Sequence, residues 1–132
     1  MERLKERLAI ARQALRTIQE ILNQPKNAIV RDAAIQRFEY TFEAIWKAAQ
    51  MFLRAAESLD AGSPKSAIRG SFRVELLTEE QARKAMAMAD DRNLTTHTYN
   101  ESLADAIYSR IPEHAAIMDA WLAAMEDRIR RM

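Results

Sequence analysis

Cysteine is absent from this 132-residue chain. Disulfides, thiolate metal sites and cysteine nucleophiles are thereby excluded. Glycine and proline are scarce, at two and three residues. That scarcity argues against strand-and-turn folds, glycine-rich phosphate loops and dinucleotide-binding fingerprints. No run approaches the roughly eighteen uninterrupted apolar residues of a membrane-spanning helix. Charge of one sign is lacking too. The 20 Lys and Arg against 19 Asp and Glu leave a formal net charge of +1, so no global field draws the chain to nucleic acid or membrane. His97 and His114 are the only imidazoles.

What remains is 48% hydrophobic and 30% charged, the composition of a well-packed helical protein. The length suits one domain over residues 1–132, enough to bury about two thirds of its unfolded surface without a covalent staple. The opening Met1-Glu2-Arg3-Leu4-Lys5-Glu6-Arg7 carries charges too often for a signal peptide, which predicts a soluble, cytoplasmic protein.

Apolar residues recur at helical spacing. Leu4, Leu8, Ala11, Leu15, Ile18 and Leu22 form one stripe, ended by Asn23-Gln24-Pro25, because proline disfavours helix at the residue before it. A second stripe, within about residues 27–58, runs Ile35, Phe38, Phe42, Ile45, Ala49, Phe52, Ala56, widened by Trp46 and Leu53. It predicts the longest, central helix, with Arg31, Asp32, Arg37 and Glu39 on its other faces. Asp60-Ala61-Gly62-Ser63-Pro64 is the clearest break. Ser63 and Pro64 suit the start of a short helix over about 64–76, with Ile68, Phe72 and Leu76 inward. Thr78 and Gln81 form a capping-box pattern for a helix reaching Leu94 or Thr96. Asn100 can cap the last helix, which Pro112 either kinks or restarts. Met118, Leu122, Met125 and Ile129 continue its stripe, broadened by Trp121. The expected fold is all-α: an antiparallel four-helix up-and-down bundle with one additional short helix.

Neither histidine follows a glutamate at the three-residue spacing of bundle metal sites, so no metal and no cofactor is expected. Trp46, Trp121 and the seven methionines read as core rather than a cofactor box. The chemically dense stretch is Asp90-Asp91-Arg92-Asn93-Leu94-Thr95-Thr96-His97-Thr98-Tyr99-Asn100-Glu101. A guanidinium stabilises charge on a phosphate, and an imidazole moves protons near neutral pH. Spacing alone favours the plainer reading, in which Arg92 pairs with Asp91 or Glu101 on the surface and His97 and Tyr99 are ordinary turn residues. His114 reads as structural or exposed.

Arg92-Asn93-Leu94-Thr95-Thr96-His97 resembles the Arg-Asn-x-x-x-His signature of HEPN domains, and Tyr99 extends it to the Arg-x-x-x-x-His-x-Tyr form of HepT-like proteins. The run from Arg31 to Lys47 resembles the second helix of the branch called nucleotidyltransferase substrate-binding proteins. Ser63-Pro64-Lys65-Ser66-Ala67-Ile68-Arg69, followed by Phe72, resembles that branch's short helix, and Tyr108 and Ile111 fall where its last helix puts them. The resemblance is close over about residues 28–111. Two positions depart from it: Ala85 stands where a tryptophan is frequent, and Glu75 where a glycine is.

The resemblance implies a homodimer with no membrane attachment, encoded beside a minimal nucleotidyltransferase (MNT) antitoxin. It implies a toxin whose dimer cleft cuts RNA without metal. By that likeness the catalytic residues are His97 as base or acid at the ribose 2′-hydroxyl and Arg92 on the scissile phosphate. Asn93 supports them by ordering the turn or binding phosphate. The products carry 2′,3′-cyclic phosphate and 5′-hydroxyl ends. The MNT partner neutralises the toxin by transferring AMP from ATP to Tyr99, whose added charge repels RNA. The alternative is a non-catalytic subunit that presents a substrate to a partner nucleotidyltransferase. Apart from the signature, the charged face of the run Arg31 to Lys47 reads as solvated, or else Arg37, Glu39 or Glu43 contacts a second subunit or the nucleotidyltransferase; Arg128 to Arg131 reads as a solvated end that could also guide RNA.

Overall fold

The computed structural model describes residues 1–132. It contains α1 (Glu2–Leu22), α2 (Ala28–Glu57), α3 (Pro64–Arg73), α4 (Glu79–Leu94), a 3-10 turn (Thr95–His97) and α5 (Glu101–Arg130), and no strand. No helix is long and apolar enough to cross a membrane.

Four helices begin on side-chain caps. Asn27 accepts the amide of Val30 at 2.8 Å. Ser63 and Ser66 cap each other's backbone at the start of α3, ahead of Pro64. Thr78 and Gln81 close a capping box at 2.9 and 3.1 Å. Asn100 accepts the amide of Leu103 at 3.1 Å. Each bond satisfies an amide that the first helical turn leaves unpaired.

The stripes read from the sequence converge in one cluster of 32 buried apolar residues. Phe38, Phe42, Phe52 and Trp121 are its largest fully buried members, each contributing about 1.5–3 kcal/mol of burial. The Trp121 indole donates to Ser71 Oγ at 2.9 Å, so its one polar atom is satisfied inside the core. Three ties show how α2 and α5 run in the same direction as the diagonal pair of an up-and-down bundle. Arg31 meets Glu101 at 2.7 Å, Phe38 stacks on His114 at 5.2 Å, and Arg128 meets Glu57 at 3.5 Å. On the outer side, Arg12 clamps α1 to α5 through Glu126 and Asp119.

Some expectations change. The short helix stops at Arg73 rather than near residue 76, because Glu75 takes a left-handed φ of 66°. Behind it, the amides of Leu76 and Leu77 reach back to the Ser71 carbonyl at 2.8 and 3.3 Å. Both leucines are buried by this turn instead of by helix, and Phe72 stays 46% exposed. Pro112 neither restarts α5 nor ends it: one helix runs through it. The ring faces solvent while Ile107, Ile111, Ala115 and Met118 are buried on either side. Arg31 is not on a solvated face. It is buried, and hydrogen bonds to Glu101 first, then Asp32 and Asp105, hold its ionisation well above the usual arginine range.

Candidate functional site

The signature residues sit where α4 ends. Three threonines end it. The Thr95 hydroxyl donates to the Arg92 carbonyl at 2.7 Å, Thr96 to Asn93 at 3.3 Å and Thr98 to Thr95 at 3.1 Å. Such back-bonding competes with the helical ladder and tightens the chain into a 3-10 turn. The Asn100 amide then bonds the His97 carbonyl at 3.1 Å, and the Asn100 side chain opens α5. His97 and Tyr99 are left exposed at the tip. The Tyr99 hydroxyl lies 3.4 Å from His97 Nδ1, with ring centroids 5.9 Å apart.

Asp91 and Arg92 are neighbours that face opposite ways, as one helical step of about 100° allows. Asp91 turns inward to α5. It accepts Arg110 at 2.7 and 2.8 Å and His114 Nε2 at 2.7 Å. Burial pushes its carboxyl up, but the bonds from Arg110 and His114 outweigh it and leave the group below the usual aspartate range. His114 is therefore structural and buried, stacked on Phe38.

Arg92 turns to α2. It pairs with neither Asp91 nor Glu101. Nη1 donates to Thr95 Oγ1 at 3.0 Å and lies 3.6 Å from Glu39 Oε2, while buried Nε has no partner. The guanidinium stands at the junction of two clefts. One, of about 350 Å³, is lined by Glu43, Lys65 and Asn93. The other, of about 590 Å³, is lined by Arg7, Glu39 and Lys47. Burial raises Glu43, but bonds from the Trp46 indole and Lys47, with the nearby charges of Lys47 and Arg92, bring it below the usual glutamate range.

The structure thus joins His97 with Tyr99 and places Asn93 beside Arg92, but gives Arg92 no contact with His97. Glu39 and Lys65 are site neighbours that spacing did not reveal. Glu39 lies 53 positions before Arg92 in the chain and Lys65 lies 27 before it, so only the packing of α2 and α3 on α4 joins them. No group of three or more His, Asp or Glu side chains gathers as metal ligands.

The all-helical bundle that carries this Arg-Asn-x-x-x-His turn has the fold of HEPN proteins. The tri-AMPylated Shewanella oneidensis HEPN toxin, solved in complex with an MNT antitoxin, is similar in fold. Its TM-score is 0.77 at 16% identity, over 94% of this chain and 96% of that one. The substrate binding domain of a nucleotidyltransferase from Haemophilus influenzae is similar at TM-score 0.63 and 23% identity, over 95% of this chain and 98% of that one. A protein from Thermus thermophilus is 51% identical with TM-score 0.84, over 87% of this chain and 98% of that one. The family of nucleotidyltransferase substrate binding protein-like chains matches residues 6–127, and this protein belongs to it. No curated protein matches the chain.

Proposed function

We propose that this protein, acting as one domain over residues 1–132 and as a homodimer in the cytoplasm, is the HepT-like toxin of a HEPN–MNT pair. It cleaves RNA without metal. The observation that carries this reading is the exposed His97–Tyr99 pair on the turn that follows Arg92 and Asn93. Family membership and the fold shared with a toxin bound to its MNT antitoxin support it.

In this reading two copies face each other at the turn, so that the signature side chains of both line one cleft. The His97 imidazole takes the proton of a ribose 2′-hydroxyl, and the 2′-oxygen attacks the adjacent phosphorus. The bond from phosphorus to the 5′ oxygen breaks, and that oxygen takes a proton from the second imidazole of the cleft. Products end in 2′,3′-cyclic phosphate and 5′-hydroxyl. Arg92 binds the phosphate as its charge develops, exchanging its 3.6 Å approach to Glu39 for a closer one. Asn93 supports the phosphate. The MNT partner transfers AMP from ATP to Tyr99: the phenol oxygen attacks the α-phosphorus and pyrophosphate leaves. Tyr99 is 79% exposed and adjoins His97, so the added nucleotide covers the imidazole and repels RNA.

A second reading, a non-catalytic subunit presenting substrate to a nucleotidyltransferase, is favoured by one observation: Arg92 is held by Thr95 and Glu39, away from His97. The test incubates wild type, His97→Ala and Arg92→Ala with RNA in EDTA. Wild type alone should cleave, with each variant at least about 100-fold slower. Equal, weak cleavage by all three refutes the ribonuclease. With the MNT partner and labelled ATP, wild type should be labelled and Tyr99→Phe not; equal labelling refutes the modification site.

A further inference from the structure

The signature accounts for one end of the Arg92 guanidinium's surroundings and leaves the other unexplained. Beside Arg92 lies the cleft of about 350 Å³ whose polar lining is Glu43, Ser63, Lys65, Arg92 and Asn93, without Glu39. Its volume falls in the range of ligand pockets, about 300–1,000 Å³. Three features make it receptive to an anion. Two cations from different helices, Lys65 of α3 and Arg92 of α4, converge on it. Arg92 Nε is buried without an acceptor, so the hydrogen bonding of that side chain is not fully satisfied within the chain. Glu43, its only carboxylate, is already engaged by the Trp46 indole at 2.9 Å and by Lys47 at 3.2 Å.

Lys65 is poised rather than committed. Its ammonium is held 2.6 Å from Asp90 in a pair whose side chains are 43% and 62% exposed. An exposed pair of that kind is worth about 0–1 kcal/mol, so a phosphate can draw the ammonium into the cleft. Asp90 meanwhile keeps Lys65 over the last turns of α4, near the signature.

We infer that Lys65, beside Arg92 and Asn93, forms a second phosphate subsite, which holds the RNA backbone phosphate next to the scissile one that those two bind. The subsite rests on the ribonuclease reading for the identity of its ligand. It also gives work to the Ser63–Arg69 segment: the Ser63 cap and Pro64 fix the first turn of α3 so that Lys65 overlooks the cleft.

The test measures binding of a fluorescent, fully 2′-O-methylated oligoribonucleotide, which cannot be cleaved, by anisotropy over a salt series. The proteins are wild type, Lys65→Gln, Lys65→Arg and, as a control outside the cleft, Lys84→Gln. A single-strand phosphate contact contributes about 0.7 to the salt slope, so at about 0.1 M salt its loss weakens binding about fivefold. Lys65→Gln should show that loss and a slope lower by about 0.7, with Lys65→Arg and Lys84→Gln near wild type. If wild type binds and Lys65→Gln binds equally well with an unchanged slope, the subsite is refuted and the ribonuclease reading stands. If Lys84→Gln falls as far as Lys65→Gln, the attraction is diffuse and the subsite is refuted. If wild type does not bind the oligonucleotide, the RNA reading itself falls and takes the subsite with it.

Discussion

Replacing Asp91 by alanine should destabilise the fold by about 2–3 kcal/mol at pH 7. The magnitude follows from what the carboxylate holds. It accepts two bonds from Arg110 and one from His114, all at 2.7–2.8 Å. The His114 side chain is only 7% exposed, so its Nε2 loses its partner with little access to water, a cost of about 1–3 kcal/mol. The Arg110 side chain is 44% exposed; its guanidinium turns to solvent, and its share is discounted to about 0–1 kcal/mol. The total lies below the roughly 3–5 kcal/mol for breaking a fully buried pair. Urea unfolding followed by circular dichroism should show a midpoint lower by roughly 1–2 M with an unchanged slope. The pH dependence supplies the sharper check. The folded carboxyl sits below its ordinary value of 3.8. Its contribution is therefore complete above about pH 4 and fades as pH falls through the lower folded value. The gap between wild type and Asp91→Ala should narrow in that window and not above it. Asp60→Ala, which removes an exposed partner of Arg54, should cost less than about 1 kcal/mol. A loss under about 1 kcal/mol for Asp91→Ala, or a gap that does not narrow in acid, would refute the reasoning.

Two other substitutions should raise stability, because each relieves a backbone cost. Glu75→Gly removes a side chain from a φ of 66°. Relief of about 1–2 kcal/mol, less the added freedom of the unfolded chain, leaves a gain of about 0.5–1 kcal/mol in the same urea assay. Pro112→Ala returns an amide that can bond the Tyr108 carbonyl within unbroken α5; a gain of about 1–2 kcal/mol is expected, and a lower midpoint would show that the ring's packing outweighs the missing bond.

Much of the architecture was legible because its determinants are local. Stripe spacing depends on 3.6 residues per turn, and the caps at Ser63, Thr78 and Asn100 act within three residues. Those signals located all five helices and most of the large core side chains, but they marked no inward face on α4, where Ala85, Met88 and Ala89 are buried. They erred where a local pattern met a long-range demand. Leu76 keeps helical spacing with Phe72, yet it enters the core through the Glu75 turn while Phe72 remains outside. Arg31 looked like surface charge and is buried under Glu101 and Asp105, 70 and 74 residues away.

The signature divides the same way. Arg92, Asn93, His97 and Tyr99 could be recognised from their order alone, and so could the turn that exposes the last two, since the threonines act on carbonyls three residues back. The sequence by itself thus determined the helices, the inward faces of α1, α2 and α5, and the identity of the chemically dense turn. Only the tertiary structure decided that Asp91 faces Arg110 and His114 while adjacent Arg92 faces Glu39, and that Lys65 overlooks the same cleft. The reason is physical. Apolar burial is non-directional and repeats along the chain, so periodicity reveals it. A charged side chain is oriented by whichever opposite charge the packing of distant helices brings within a few ångströms, and no local spacing encodes that choice.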